Sequence, residues 1–123
     1  MKQAILDTNF ILSCVKQKIN FLDEIKFMGM DVLIPEEVLD EVKNIMNSKK
    51  KLHFREDAKL ALKILGKNKF KKIKLGTSHV DKGLVNFSKK NKDVVVATLD
   101  KELKRKIKKP KLVIRGKNKL EVI

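Results

Sequence analysis

The chain has no tryptophan and no tyrosine, and aromatic residues make up only 5% of it. Base stacking on aromatic rings therefore cannot be its main way of recognising a nucleic acid. A single cysteine, Cys14, excludes an internal disulfide. It sits in a helical apolar pattern and reads as a small core residue. The two histidines, His53 and His79, show no metal-ligand spacing, which argues against zinc. No apolar run reaches the length of a membrane span and no signal peptide is apparent, so a soluble cytoplasmic protein with no membrane partner is expected. Gly-rich phosphate loops are also missing, Gly76-Thr77 being too short to count. Arginine is scarce: Arg55, Arg105 and Arg115 are the only ones among 30 basic residues.

What the chain has in quantity is lysine. Its 123 residues carry a formal net charge of +15, and 37% of them are charged, against ~25% in a typical globular protein. Lysine meets phosphate as a mobile point charge and not as a rigid fork. A polyanion partner, nucleic acid first, is the expectation, with a solvated lysine surface as the plainer alternative. Length and the absence of a linker or internal repeat predict one domain over residues 1–123.

Short apolar runs alternate with helical periodicity along the whole chain. Residues 3–6 form a buried strand that stops at Asp7, and Phe10, Ile11, Cys14 and Val15 follow at helical spacing. Ile19, Phe21, Leu22, Ile25 and Phe27 suggest a short second helix before Gly29. Residues 32–34 are strand two. Pro35 is placed at the favoured first position of a helix whose apolar stripe is Val38, Leu39, Val42, Ile45 and Met46. A basic break over 47–51 precedes a helix with Ala58, Leu60, Ala61, Ile64 and Leu65. An edge-like third strand is expected near 72–75, a helix capped by Ser78 next, strand four over 94–97, a basic helix over 101–109 and strand five over 111–114. Residues 120–123 are a candidate for a last small strand. Such β-α alternation predicts an α/β fold with a mainly parallel sheet between helical layers.

Acids follow the early strands: Asp7 the first, the 36–41 group the second, Asp81 the third and Asp100 the fourth. In a parallel sheet these positions share one edge, where open α/β sheets place their sites. Helix capping would explain Asp7 and Asp100 singly, and a capping box with Ser78 would explain Asp81. Within the 36–41 group, Glu41 lies nearest the apolar stripe and Glu36 next, while Glu37 and Asp40 point further out. Clustered carboxylates repel one another, and a divalent cation removes that cost. All-oxygen ligands suit Mg²⁺ or Mn²⁺.

With these residues in view the chain resembles a PIN domain, a family of metal-dependent ribonucleases. Asp7-Thr8-Asn9 matches the family's opening motif, and Ile34-Pro35 to Glu41-Val42 its second. Asp81 matches the third, and Val96-Ala97-Thr98-Leu99-Asp100 the fourth. Within the family it is similar to the PIN nucleases of small-subunit ribosomal RNA processing, through residues 70–81 and 96–109. Toxin nucleases of toxin–antitoxin pairs share the domain. Many members carry a second acid after the third motif's Asp; Lys82 stands there instead, so a fully occupied second metal site is not implied.

The resemblance implies a three-layer α/β/α sandwich on a five-stranded sheet of order 3-2-1-4-5. It also implies an endoribonuclease dependent on Mg²⁺ or Mn²⁺, leaving a 5′-phosphate and a 3′-hydroxyl. Asp7, Glu41, Asp81 and Asp100 are then the expected catalytic metal ligands, with Asn9 and Thr98 orienting carboxylates. Lys101, Lys104, Arg105, Lys108 and Lys109, with Lys49, Lys50 and Lys51, are expected to hold RNA, a ribosomal RNA precursor first. The alternatives are a toxin-type ribonuclease and a basic RNA-binding protein without catalysis. Whether the chain pairs with itself or with another protein is left open.

Overall fold

The computed structural model describes residues 2–108 and 110–123. Its elements run β1 (Gln3–Leu6), α1 (Thr8–Lys16), α2 (Phe21–Phe27), β2 (Asp31–Pro35), α3 (Glu36–Met46), α4 (Leu52–Gly66), β3 (Lys71–Ile73), α5 (Val80–Lys90), β4 (Val94–Ala97), α6 (Lys101–Lys106), β5 (Lys111–Arg115) and β6 (Lys119–Val122). The sheet order is β3-β2-β1-β4-β5-β6. The expected order 3-2-1-4-5 is present, and every pairing within it is parallel.

The sheet has six strands and not five. Gly116, at φ +65°, turns the chain after β5, and β6 returns antiparallel with Leu120 opposite Ile114. Burying Leu120 is what makes this short hairpin part of the core.

Strand alternation divides the core into two layers. Ala4, Leu6, Val32, Ile34, Val95 and Ala97 face one way and pack under Phe10 and Ile11 of α1, Leu22 and Ile25 of α2, Val38 and Val42 of α3, and Ala58 and Ala61 of α4. Ile5, Leu33, Val94 and Val96 face the other way, against Leu84 of α5, Leu103 of α6 and Ile107. The central strands are buried on both faces, which is why they read as unbroken apolar runs. Cys14 is fully buried, and burial pushes its thiol up to about 12.

Several local expectations are corrected. Pro35 closes β2 and caps α3, so Glu36 is the first helical residue. Phe27 is 95% exposed: at about 100° per residue it lies on the side of α2 opposite the buried Phe21, Leu22 and Ile25. Helix α6 stops at Lys106, three residues short of the expected end, and Lys109 lies outside the described residues. The capping box between Ser78 and Asp81 does not form. His79 is the cap of α5 without a side-chain bond, and its N–H donates instead to Thr77 Oγ1 at 3.1 Å. Among the described residues no helix is long and apolar enough to cross a membrane.

Candidate active site

Asp7 is the first residue beyond β1 and the cap of α1, and it is 6% exposed. Its Oδ1 accepts from the Thr8 N–H at 2.8 Å, and its Oδ2 accepts from the Thr98 hydroxyl at 3.0 Å. Strands β1 and β4 are in register with Leu6 opposite Ala97, so Asp7 and Thr98 leave the sheet side by side. Thr98, itself fully buried, also accepts from the Asp100 N–H at 3.1 Å. Asp100 caps α6, its Oδ1 accepting from Glu102 and Leu103 N–H at 2.9 and 3.3 Å. Capping thus explains Asp7 and Asp100 in part, yet one hydroxyl ties the pair together across the point where strand order reverses.

Burial pushes the Asp7 carboxyl up to about 6 from 3.8. The bonds from Thr98 and Thr8 pull it back down, and the negative charges of Asp81 and Glu41 push it up again. Those two acids are therefore close enough to be felt at Asp7. Glu41 sits on the exposed side of α3, but its Oε1 accepts from the Thr8 hydroxyl at 2.6 Å, which brings it to the start of α1. Glu41 and Asp81 line one open cleft of about 410 Å³ together with His79, Lys82 and Lys106. Among the described residues no hydrogen bond or ion pair occupies Asp81, so its carboxylate is free to face that cleft.

Glu37 departs from its expected place. It is half-buried, not outward: both its oxygens accept from the Leu75 N–H at 3.1 Å, and Oε2 also accepts from the Gly76 N–H at 3.0 Å. Partial burial raises its pKa, but the N–H groups of Leu75, Glu37 and Gly76 and the charge of Lys74 outweigh it, and the net direction is down. Helical spacing predicts which side of α3 meets the sheet; it says nothing of a loop passing from β3 to α5. The loop needs Gly76 at φ +76°, a region open to glycine. It also needs Gly83, where a Cβ would stand 2.9 Å from Leu75 Cβ and 3.0 Å from Thr77 Cγ2. Gly83 thereby lets α5 pack closely on this loop two residues after Asp81.

Asn9 is exposed, and among the described residues its side chain bonds to no carboxylate. Thr8, one residue earlier and not singled out in the sequence, is the side chain that holds Glu41. Lys106 was likewise missed. It lines the large cleft and also a smaller one of about 170 Å³ shared with Asp81, Lys82 and Asn86. Its signal was positional: it flanks the buried Leu103 and Ile107 on a helix packed against α5. Lys101, Arg105 and Lys108 are exposed and Lys104 is half-buried; Arg105 pairs loosely with Glu102 at 3.7 Å. Lys49, Lys50 and Lys51 are exposed beyond α3, in a turn closed by Ser48 Oγ donating to Ile45 O and Arg55 Nε donating to Lys50 O.

Among the described residues, no three acid, histidine or cysteine side chains converge closely enough to grip an ion as they stand. The donor chemistry nonetheless fits a hard divalent cation. Its acids are carboxylates, and the Asp7 pKa, raised mainly by burial and further by the charges of Asp81 and Glu41, marks a carboxylate whose charged form a bound cation would stabilise. Mg²⁺ keeps several of its waters, so ligands spaced more widely than a closed cage still suit it.

Comparison with known proteins bears on the family and the fold. A family model described as "PIN like domain" matches residues 4–117. Ribonuclease VapC4 of Methanocaldococcus jannaschii is 30% identical over 128 aligned positions, covering 99% of this chain and 97% of that protein. The solved structure of the PIN domain endonuclease Utp24 superposes with a TM-score of 0.77 at 26% identity, covering 98% of this chain and 90% of the other. With its carboxylates at the switch point of a 3-2-1-4-5 sheet, the chain belongs to the PIN-like domain family.

Proposed function

We propose that the chain is a divalent-metal-dependent endoribonuclease, acting in ribosomal RNA processing. The observation that carries the reading is Asp7: a buried carboxylate at the sheet's C-terminal edge, bonded to Thr98 and within the field of Asp81 and Glu41. A basic protein that only bound RNA would gain nothing from acids at the point where phosphate must approach.

In this reading Asp7, Glu41, Asp81 and Asp100 hold Mg²⁺ or Mn²⁺, directly or through water. When bound, the ion supplies a water of lowered pKa and steadies the leaving oxygen of the phosphodiester. The chain's own residues do the rest. Thr98 fixes the Asp7 carboxylate and the start of α6 together, and Thr8 aims Glu41. Lys106 and Lys82, on the walls of the acidic cleft, meet the phosphates flanking the cut. Lys101, Lys104, Arg105 and Lys108 extend that contact along the RNA backbone without reading its sequence. The products are a 5′-phosphate and a 3′-hydroxyl.

The ribosomal role is supported by the likeness of residues 70–81 and 96–109 to PIN nucleases of small-subunit processing. A second reading, a toxin nuclease paired with an antitoxin, is favoured by the identity with the VapC4 ribonuclease along nearly the whole chain. The decisive experiment incubates the pure protein with RNA in Mg²⁺, Mn²⁺ or chelator, beside Asp7→Asn. Metal-dependent internal cuts lost in the variant support the nuclease; RNA binding without cuts under any metal leaves the non-catalytic reading. Growth arrest on expression alone favours the toxin, and unprocessed ribosomal precursor on depletion favours the processing enzyme.

A further inference from the structure

The open edge of the sheet carries a second concentration of charge. Strand β3 pairs only with β2, so its outer side has no neighbouring strand. Lys67, Lys69, Lys71, Lys72 and Lys74 fall within residues 67–74 with no acid among them. All are exposed, and among the described residues none forms a salt bridge; only Lys74 is close enough to Glu37 for its charge to be felt. Lysines on an edge strand discourage pairing with other chains, and that purpose needs nothing further.

There is more here than lysine. Lys69, Phe70 and Lys71 share a cleft of about 320 Å³ with Lys26, Asp31 and Val32. Asp31 is its single acid, against three lysines. Phe27, the residue after Lys26, is 95% exposed, and Met28 beside it is 41% exposed. A solvent-exposed ring one residue along α2 from a lysine of that cleft offers a stacking platform to set with the phosphate contacts, the two parts of a single-strand binding site.

We propose that this end of the sheet is a second RNA-contact surface that takes single-stranded RNA, with phosphates on Lys26, Lys69 and Lys71 and an unpaired base on Phe27. The proposal rests on RNA being the substrate of the carboxylate site. The cleft lies where β2 and β3 begin, and the carboxylates lie where the strands end. From Lys69 to Lys74 the chain advances ~16 Å at ~3.3 Å per residue. Lys72 and Lys74, exposed and alternating with Lys71 along this edge, carry the charge onward to the Leu75–Gly76 loop held by Glu37. RNA bound in the cleft is led along the edge toward Asp81, so this surface serves long substrates and leaves the chemistry to the other end.

The test reads binding, with chelator present so that no strand is cut. Wild type, Phe27→Ala and the double variant Lys69→Ala/Lys71→Ala are titrated with a long single-stranded RNA, a duplex of the same length and poly-glutamate. Phe27→Ala should weaken single-strand binding at least about fivefold and leave the duplex unaffected. The lysine variant should flatten the slope of log affinity on log salt by ~0.7 for each phosphate it no longer neutralises. Cleavage of an RNA too short to span both ends should stay at the wild-type rate in both variants. If Phe27→Ala loses affinity while wild type cuts nothing, the nuclease reading fails and this surface stands. Unchanged affinity and salt slope in both variants overturn the surface whatever the cleavage result. Equal losses for the duplex or for poly-glutamate also overturn it, since they describe a general patch for anions or for an acidic protein.

Discussion

Thr98 donates its hydroxyl to Asp7 Oδ2 at 3.0 Å, across 91 positions of sequence. The same oxygen of Thr98 accepts from the Asp100 backbone at 3.1 Å. Two acids from adjacent parallel strands are thereby set by one buried side chain, and the proposed chemistry should depend on its orientation.

Thr98→Val tests that dependence, since valine keeps the shape and removes the hydroxyl. Asp7 loses a bond that favours its charged form, so its pKa should rise beyond about 6. The acidic limb of the cleavage pH profile should move to higher pH. Metal affinity should fall ~10- to 100-fold, as when other supports of metal ligands are removed. A pH profile superimposable on wild type would show that Thr98 does not govern Asp7.

Asp7→Asn should abolish cleavage and stabilise the metal-free protein. A carboxyl with a raised folded-state pKa holds its proton more tightly when folded. Below about pH 4 both states are protonated and Asp7 is neutral to stability. From there to about 6 the unfolded chain releases the proton first, so stability falls as pH rises, and above about 6 the whole penalty stands. The shift from 3.8 to about 6 corresponds to ~3 kcal/mol at neutral pH. Melting curves in chelator should show wild type losing ground to the variant across that window. Parallel pH dependence of the two proteins would contradict the assignment.

Glu37 and Glu41 should separate stability from catalysis, although both lie on α3. Glu41→Gln should damage cleavage far more than Glu36→Gln or Glu37→Gln. Glu37→Gln should cost ~1 kcal/mol of stability by weakening the bonds from Leu75 and Gly76. Because the Glu37 pKa is depressed, its contribution is present above the ordinary carboxylate range and is lost as pH falls through the folded-state value. Melting temperature and single-turnover cleavage of the variants, measured side by side, decide between these roles.

Lys106→Ala should reduce the cleavage rate at saturating RNA, because its side chain lines the cleft of Asp81 and Glu41. Replacing Lys104, Arg105 and Lys108 together should instead weaken binding alike for unrelated RNAs and flatten the salt dependence, with the saturated rate preserved. If Lys106→Ala behaves like the triple variant, its contact is with the distant backbone and not with the phosphates at the cut.

Periodicity alone was enough to determine the β-α alternation, the parallel sheet and the edge that carries Asp7 and Asp100. The reason is that strands buried on both faces must be apolar throughout, and a strand entering a helix in such a sheet leaves its next residue at the C-terminal edge. The family resemblance added the strand order 3-2-1-4-5. What tertiary structure decided was every contact between elements distant in the chain. Helical spacing turned Glu37 outward, but the β3–α5 loop passes over that face and its N–H groups need an acceptor. Phe27, grouped by sequence with the apolar residues of α2, lies on the far side of that helix from Phe21, Leu22 and Ile25 and stays exposed. Thr8 stood inside the opening motif and Lys106 beside the apolar Leu103 and Ile107, but neither position told what the side chain would meet, because those partners lie on α3 and α5. A period describes the face that a helix presents; which neighbour meets that face is set by packing of the whole chain.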